Sequence, residues 1–182
     1  DALAKRGTDF LGAHCQGGFN PAVCIPSRAT LMTGRNIFDL SPADKRDAHD
    51  LSVGAIIPPD MPTMPQHLRH AGYRTHAIGK WHNDKPSFAR SFSSADKILF
   101  DGMSKGIYAE SRARPVPGHS TDIFKDAALK FVETAKSDEP FFLYIAFTAP
   151  HDPRTPPAEF AVDPSGVALP KAYMPVHPFD NG

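Results

Sequence analysis

The sequence predicts an α/β fold, a mostly parallel sheet sandwiched by helices, and three observations carry that prediction. The first is an amphipathic helix over 121–136, where Ile123, Phe124, Ala127, Ala128, Phe131, Val132 and Ala135 form one apolar stripe. The second is FFLYIAFT at 141–148, an unbroken apolar and aromatic run between prolines, the pattern of a strand covered on both faces. The third is an earlier copy of the same unit, MPQHLRHAG at 64–72 followed by YRTHAIGK at 73–80. A helix followed by a buried strand is the repeating unit of a parallel sheet.

In chain order, DALAKRG reads as the end of a helix closed by Gly7. TDFLGAHC, 8–15, is expected to be a strand, and 27–33 a helix closed by Gly34. Pro26 is tolerated in a first turn, so Ile25 to Arg28 form that helix's mouth. Gly72 ends the next helix. In the strand 73–80, Tyr73, Thr75, Ala77 and Gly79 alternate with Arg74, His76 and Ile78. Residues 83–119 are polar, with scattered Gly and Pro, and read as one long loop, a feature more often functional than idle. Ser120 or Thr121 is expected to cap the helix 121–136. Frequent prolines after 149 predict an extended or looped segment. There is no internal repeat or low-complexity tract.

A chain of 182 residues suffices for one domain with a sizeable core, and its hydrophobic share of 41% and charged share of 22% are ordinary for a soluble globular protein. Lys plus Arg and Asp plus Glu balance at 20 each, so no global charge directs it to nucleic acid or an anionic membrane. No apolar run approaches the ~20 residues of a transmembrane helix. Two cysteines, Cys15 and Cys24, make no disulfide framework. The chain starts inside an element and stops abruptly at HPFDNG, so we expect a fragment, with any export signal outside it.

Three stretches hold residues able to do chemistry. Cys24 lies at a helix mouth, where free backbone N–H groups and the positive dipole end favour an anion and ease ionisation of a thiol. Arg28 follows one turn later, and helical side chains lean toward the N-terminus, so its guanidinium should reach position 24. The bland reading is a small buried hydrophobe beside a surface arginine. In GYRTHAIGKWH, 72–82, an extended chain puts Lys80 and His82 on one face and Trp81 on the other, packed inward. His151, in TAPHDPR, follows the run 141–148. Solvated side chains are the bland reading for these three. All five residues nevertheless fall at carboxyl ends of strands or at a helix N-terminus, where open α/β sheets gather ligands. Two cations and a helix mouth suit an oxyanion such as sulfate or phosphate, and two histidines can move protons. No pair shows the short ligand spacing of a structural zinc site.

These residues also form a pattern. CIPSRATLMTG, 24–34, resembles the first signature of the type I sulfatases: Cys or Ser, any residue, Pro, any, Arg, then Thr-Gly a turn or two on. GYRTHAIGKWH is similar to their second signature, FFLYIAFTAPHDPR to the strand and histidine loop that follow, and DALAKRGTDF to the segment leading into the first. The resemblance implies an alkaline-phosphatase-like fold. Residues 1–182 would then be part of a single sulfatase catalytic domain, lacking its first strand and its C-terminal part.

The resemblance further implies that Cys24 is oxidised by a formylglycine-generating maturation enzyme. The hydrated aldehyde, activated by a divalent metal (usually calcium), attacks sulfur; the alcohol leaves with acid assistance; the second hydroxyl then expels sulfate. By position, Cys24 would be nucleophile precursor and metal ligand, and Arg28 would hold the diol. Lys80 would bind a sulfate oxygen, His82 would act as the base that frees sulfate, and His151 would contact sulfate or protonate the leaving oxygen. The paired metal-binding aspartates of the family have no counterpart in this chain, so the fragment alone is expected to be inactive. Asp180 and Asn181 are tempting as later ligands, although the preceding YMPVHPF carries two prolines and does not read as a buried strand. The implied substrate is a sulfated small molecule or carbohydrate, in a periplasmic, secreted or lysosomal setting. Two other readings stay open at this point: a phosphonate or phosphate ester hydrolase, and a non-catalytic anion-binding domain with Cys24 unmodified.

Overall fold

Three parallel strands in the order β2-β1-β5 organise the computed structural model, which describes residues 2–13, 17, 23–40, 56–100, 107–109, 115–151 and 156–169. The elements in chain order are α1 (Ala2–Arg6), α2 (Cys24–Thr33), α3 (Met64–His70), β1 (Arg74–Lys80), α4 (Lys85–Ser91), β2 (Ser94–Leu99), β3 (Ile107–Ala109), β4 (Pro115–His119), α5 (Ser120–Glu133) and β5 (Phe141–Ala146). In register, β1 aligns His76 with Ser94 of β2 and with Leu143 of β5. Strands β3 and β4 form a separate antiparallel pair.

The sheet is covered on both faces. Ala77 and Trp81 pack with Ala29 and Met32 of α2 and with Phe92, while Ile78 packs with Phe124, Ala127 and Ala128 of α5. Successive β1 side chains therefore enter opposite cores, and every residue of β1 after Arg74 is buried. Phe124 alone, fully buried, contributes roughly 2 kcal/mol by removal of apolar surface from water. This is the α/β architecture the sequence predicts, a parallel sheet with helices packed on both faces.

Gly34 closes α2 as expected: its φ is 65° and its N–H donates to the Thr30 carbonyl at 2.9 Å. Helix α2 itself starts at Cys24, three residues before the expected 27. Three other expectations are corrected. Residues 8–13 form no strand; Phe10 and Leu11 are exposed, and no described strand offers them an edge, while 14 and 15 lie outside the described residues. The segment 83–119 is not one loop, since it holds α4, β2, β3 and β4. Asp84 starts α4, its Oδ1 accepting from the Ser87 N–H at 2.7 Å ahead of Pro86 in the first turn. The cap of α5 is neither Ser120 nor Thr121 but His119, whose Nδ1 accepts from the Thr121 N–H at 3.3 Å. Ser120 is buried and bonds Thr148 side chain to side chain at 2.9 Å. After 149 the described chain is looped, with single 3-10 turns at Ala158–Phe160 and Pro164–Gly166.

Candidate active site

The carboxyl end of β1 meets the N-terminus of α2, and the backbone there is unusual. The register with β2 shifts between Ile78 and Gly79, and Gly79 has φ 90°. A Cβ at Gly79 would press into the Ala146 carbonyl of β5, so only glycine allows this approach. The kink delivers Lys80 and Trp81 into the interior, 2% and 1% exposed. The Trp81 indole N–H donates to the Asp84 carbonyl at 3.0 Å, and its ring meets Phe88 and Phe92 edge to face.

His82 then adopts a left-handed backbone, φ 63°, a strain of order 1–3 kcal/mol for a residue with a Cβ. Both neighbours impose it. Trp81 is locked in the core, and buried Asn83 donates from Nδ2 to the Ile25 carbonyl at 3.2 Å, tying this turn to the mouth of α2. The result puts His82 Nδ1 3.2 Å from Cys24 Sγ. Lys80 and His82 thus reach position 24 through a kink and a left-handed turn, not through the simple alternation of an extended strand.

The Lys80 ammonium lies close enough to Cys24 and Arg28 to feel both electrostatically. Burial holds its ammonium below the usual lysine range; Cys24 works against that shift and the Arg28 guanidinium adds to it. Arg28 is placed differently from expectation. Its Nη1 donates to the Lys80 carbonyl at 2.7 Å and to the Tyr144 hydroxyl at 2.8 Å, so its described bonds go to β1 and β5 instead of to residue 24. Its Nε is buried without a hydrogen-bond partner among the described residues.

His151 is exposed on the loop after β5, its N–H donating to the Thr148 carbonyl at 3.0 Å. Because β5 runs parallel to and beside β1, that loop leaves the same edge of the sheet. The structure therefore gathers Cys24, Arg28, Lys80 and His82 where α2 meets the end of β1, with Cys24 bonded to His82 and Arg28 to the Lys80 carbonyl, and sets His151 on a neighbouring loop. Sequence reasoning missed Gly79, Asn83 and Tyr144. A usable signal existed for Tyr144 alone, since a hydroxyl inside an otherwise apolar strand asks for a partner.

Asp180 and Asn181 lie outside the described residues. Among the described residues no group of three or more His, Cys, Asp or Glu gathers as a metal site. The cluster supplies a sulfur, an imidazole and two cations, with no carboxylate, whereas calcium takes six to eight oxygens. These residues do not fit the metal. What faces the residue-24 side chain is an imidazole nitrogen at 3.2 Å, with the buried Lys80 ammonium close by.

Residues 4–167 match the family model described as Sulfatase. The chain is similar to the human N-acetylgalactosamine-6-sulfatase, 30% identical over 84% of this chain and 34% of the relative. It is similar too to the N-acetylglucosamine-6-O-sulfatase of Bacteroides thetaiotaomicron, 27% identical over 83% of this chain and 25% of the relative. The uncharacterized sulfatase YdeN of Escherichia coli K12 is 28% identical over 86% of this chain and 32% of the relative. Among solved structures, Ps i-CgsB in complex with k-i-k-neocarrahexaose superposes with a TM-score of 0.52 at 28% identity, over 74% of this chain and 36% of that one. The chain spans between a quarter and about a third of the length of these curated relatives. No helix among the described residues is long and apolar enough to cross a membrane.

Proposed function

Because this chain belongs to the sulfatase family, we propose that it forms part of a catalytic domain that hydrolyses sulfate monoesters at the cluster around Cys24. The observation that carries the reading is the convergence on residue 24 of the buried Lys80 ammonium and the His82 imidazole, 3.2 Å away. Oxidised to formylglycine by a maturation enzyme and hydrated, residue 24 would supply the oxygen nucleophile for sulfur. Lys80 binds a sulfate oxygen, and its removal from water strengthens that charge contact. His82 Nδ1 takes the proton from the residue-24 side chain when sulfate is released. Arg28 anchors the Lys80 backbone and so holds the lysine in place. His151, on the adjoining loop, contacts sulfate or protonates the leaving oxygen. The calcium implied by the resemblance would need carboxylates beyond this cluster, and no role above depends on it.

Two relatives named for 6-sulfated amino sugars support a sulfated carbohydrate as the substrate; the setting proposed with it is periplasmic, secreted or lysosomal. The test is mass spectrometry of the tryptic peptide containing residue 24, from a host with the maturation machinery, with assays on paired aryl sulfate and aryl phosphonate. A loss of about 18 Da relative to the cysteine form and preference for the sulfate are expected. An intact thiol would instead favour a non-catalytic anion-binding domain, and preference for the phosphonate would reassign the substrate.

A further inference from the structure

We propose that Tyr144 is a positioning residue of this site: its hydroxyl directs the Arg28 guanidinium onto the Lys80 carbonyl and so fixes the Lys80 ammonium beside residue 24. The argument starts with the two protons of Arg28 Nη1. One goes to the Lys80 carbonyl at 2.7 Å and the other to the Tyr144 oxygen at 2.8 Å. A guanidinium is planar and rigid, so two acceptors at one nitrogen set the plane of the whole group.

Tyr144 is itself held firmly. It sits on β5 opposite Ala77, its ring lies 6.1 Å from Phe92 at an interplanar angle of 21°, and it meets Trp81 edge to face at 6.4 Å. Those contacts need only the ring, which phenylalanine would supply. The hydroxyl is the part that packing does not require, and its described bond is to Arg28. Burial raises the phenol above its usual range more than Arg28 lowers it, so at neutral pH the oxygen stays protonated and accepts through its lone pairs. Lys80 is the last residue of β1, beyond the kink at Gly79, where the ladder is already disturbed. The carbonyl bond from Arg28 makes up for that lost regularity.

The catalytic consequence rests on the sulfate-ester reading above; the geometric one does not, and the experiment separates them. In the complete protein made without the maturation enzyme, residue 24 stays a thiol, and a cation beside a thiol speeds its alkylation. Iodoacetamide labelling of the residue-24 peptide at pH 7 is measured for wild type, Tyr144→Phe, Arg28→Ala and the double variant. Tyr144→Phe is expected to slow labelling about threefold with the fold intact by circular dichroism, and the double variant to be no slower than Arg28→Ala. In the matured protein the same substitution is expected to lower kcat about tenfold with KM within about twofold. Unchanged labelling, additive losses or an unchanged kcat would each overturn the proposal. If wild type hydrolyses no sulfate ester, the functional reading fails alone, and the labelling cycle still decides the role of Tyr144.

Discussion

At its amino end β1 leaves an ordinary turn. Gly72 and Tyr73 are exposed, the Tyr73 N–H donates to the Leu68 carbonyl, and an open cleft of about 640 Å³ is lined by Tyr73, Val132, Lys136, Glu139 and Phe141. Seven residues later the same strand ends in a kink, a buried lysine and a left-handed histidine tied by side chains to α2 and β5. At the first end backbone bonds shape the turn, and the side chains of Arg74 and Thr75 pack and bond only to neighbouring structural elements. At the second end each side chain determines where the next one goes, and strain persists because its neighbours enforce it.

The contrast can be broken most sharply at residue 24. Cys24→Ala is expected to lower turnover of the complete, matured protein by about three orders of magnitude or more, with circular dichroism and unfolding midpoint unchanged. Retained turnover would remove the covalent route. Next in size, Lys80→Ala should weaken competitive inhibition by inorganic sulfate about tenfold, the scale of one lost hydrogen bond to a charged group. Equal inhibition constants in the two proteins would move the anion elsewhere. His82→Gly tests the strain: a gain of about 1 kcal/mol in chemical denaturation, together with a loss of turnover, is the expected signature. A loss of stability would show that the left-handed turn carries no strain.

The smallest effect belongs to the other half of the strand. His76 stacks on Phe131 at 4.3 Å and bonds the Ser94 hydroxyl. Burial first, and Arg74 second, lower its pKa from 6.5, while Asp96 partly opposes them. The unfolded chain therefore binds the proton more readily, so this contribution is complete above about pH 6.5 and is lost as pH falls below it. Urea midpoints measured between pH 7 and 5 should drop for wild type and drop less for His76→Gln. Parallel profiles would exclude His76 as the source.

How much of this was legible in the sequence follows the same division. Helix α5 and strand β5 were plain because their apolar residues repeat or run together, and α2 because Gly34 ends it. Strand β2 was hidden: SADKIL sits at a sheet edge, half exposed, so its Asp96 and Lys97 broke the pattern that buried strands display. Cys24, Lys80 and His82 could be grouped from their places at element ends. The left-handed turn at His82 has only a weak local cue: histidine is enriched in that conformation, but far less tellingly than glycine. Arg28 was expected to lean toward residue 24, but its acceptors lie 52 and 116 residues away, beyond any reading of neighbours in the chain.

Those separations bear on the order of assembly. The nitrogen that grips both Lys80 and Tyr144 closes two large loops at once, each opposed by chain entropy until the far segment docks. Before β5 arrives, the guanidinium can hold at most one of its partners. Native-state hydrogen exchange should therefore find the Lys80 amide opening together with those of β5, making this corner a late and sensitive reporter of whether the whole sheet has formed.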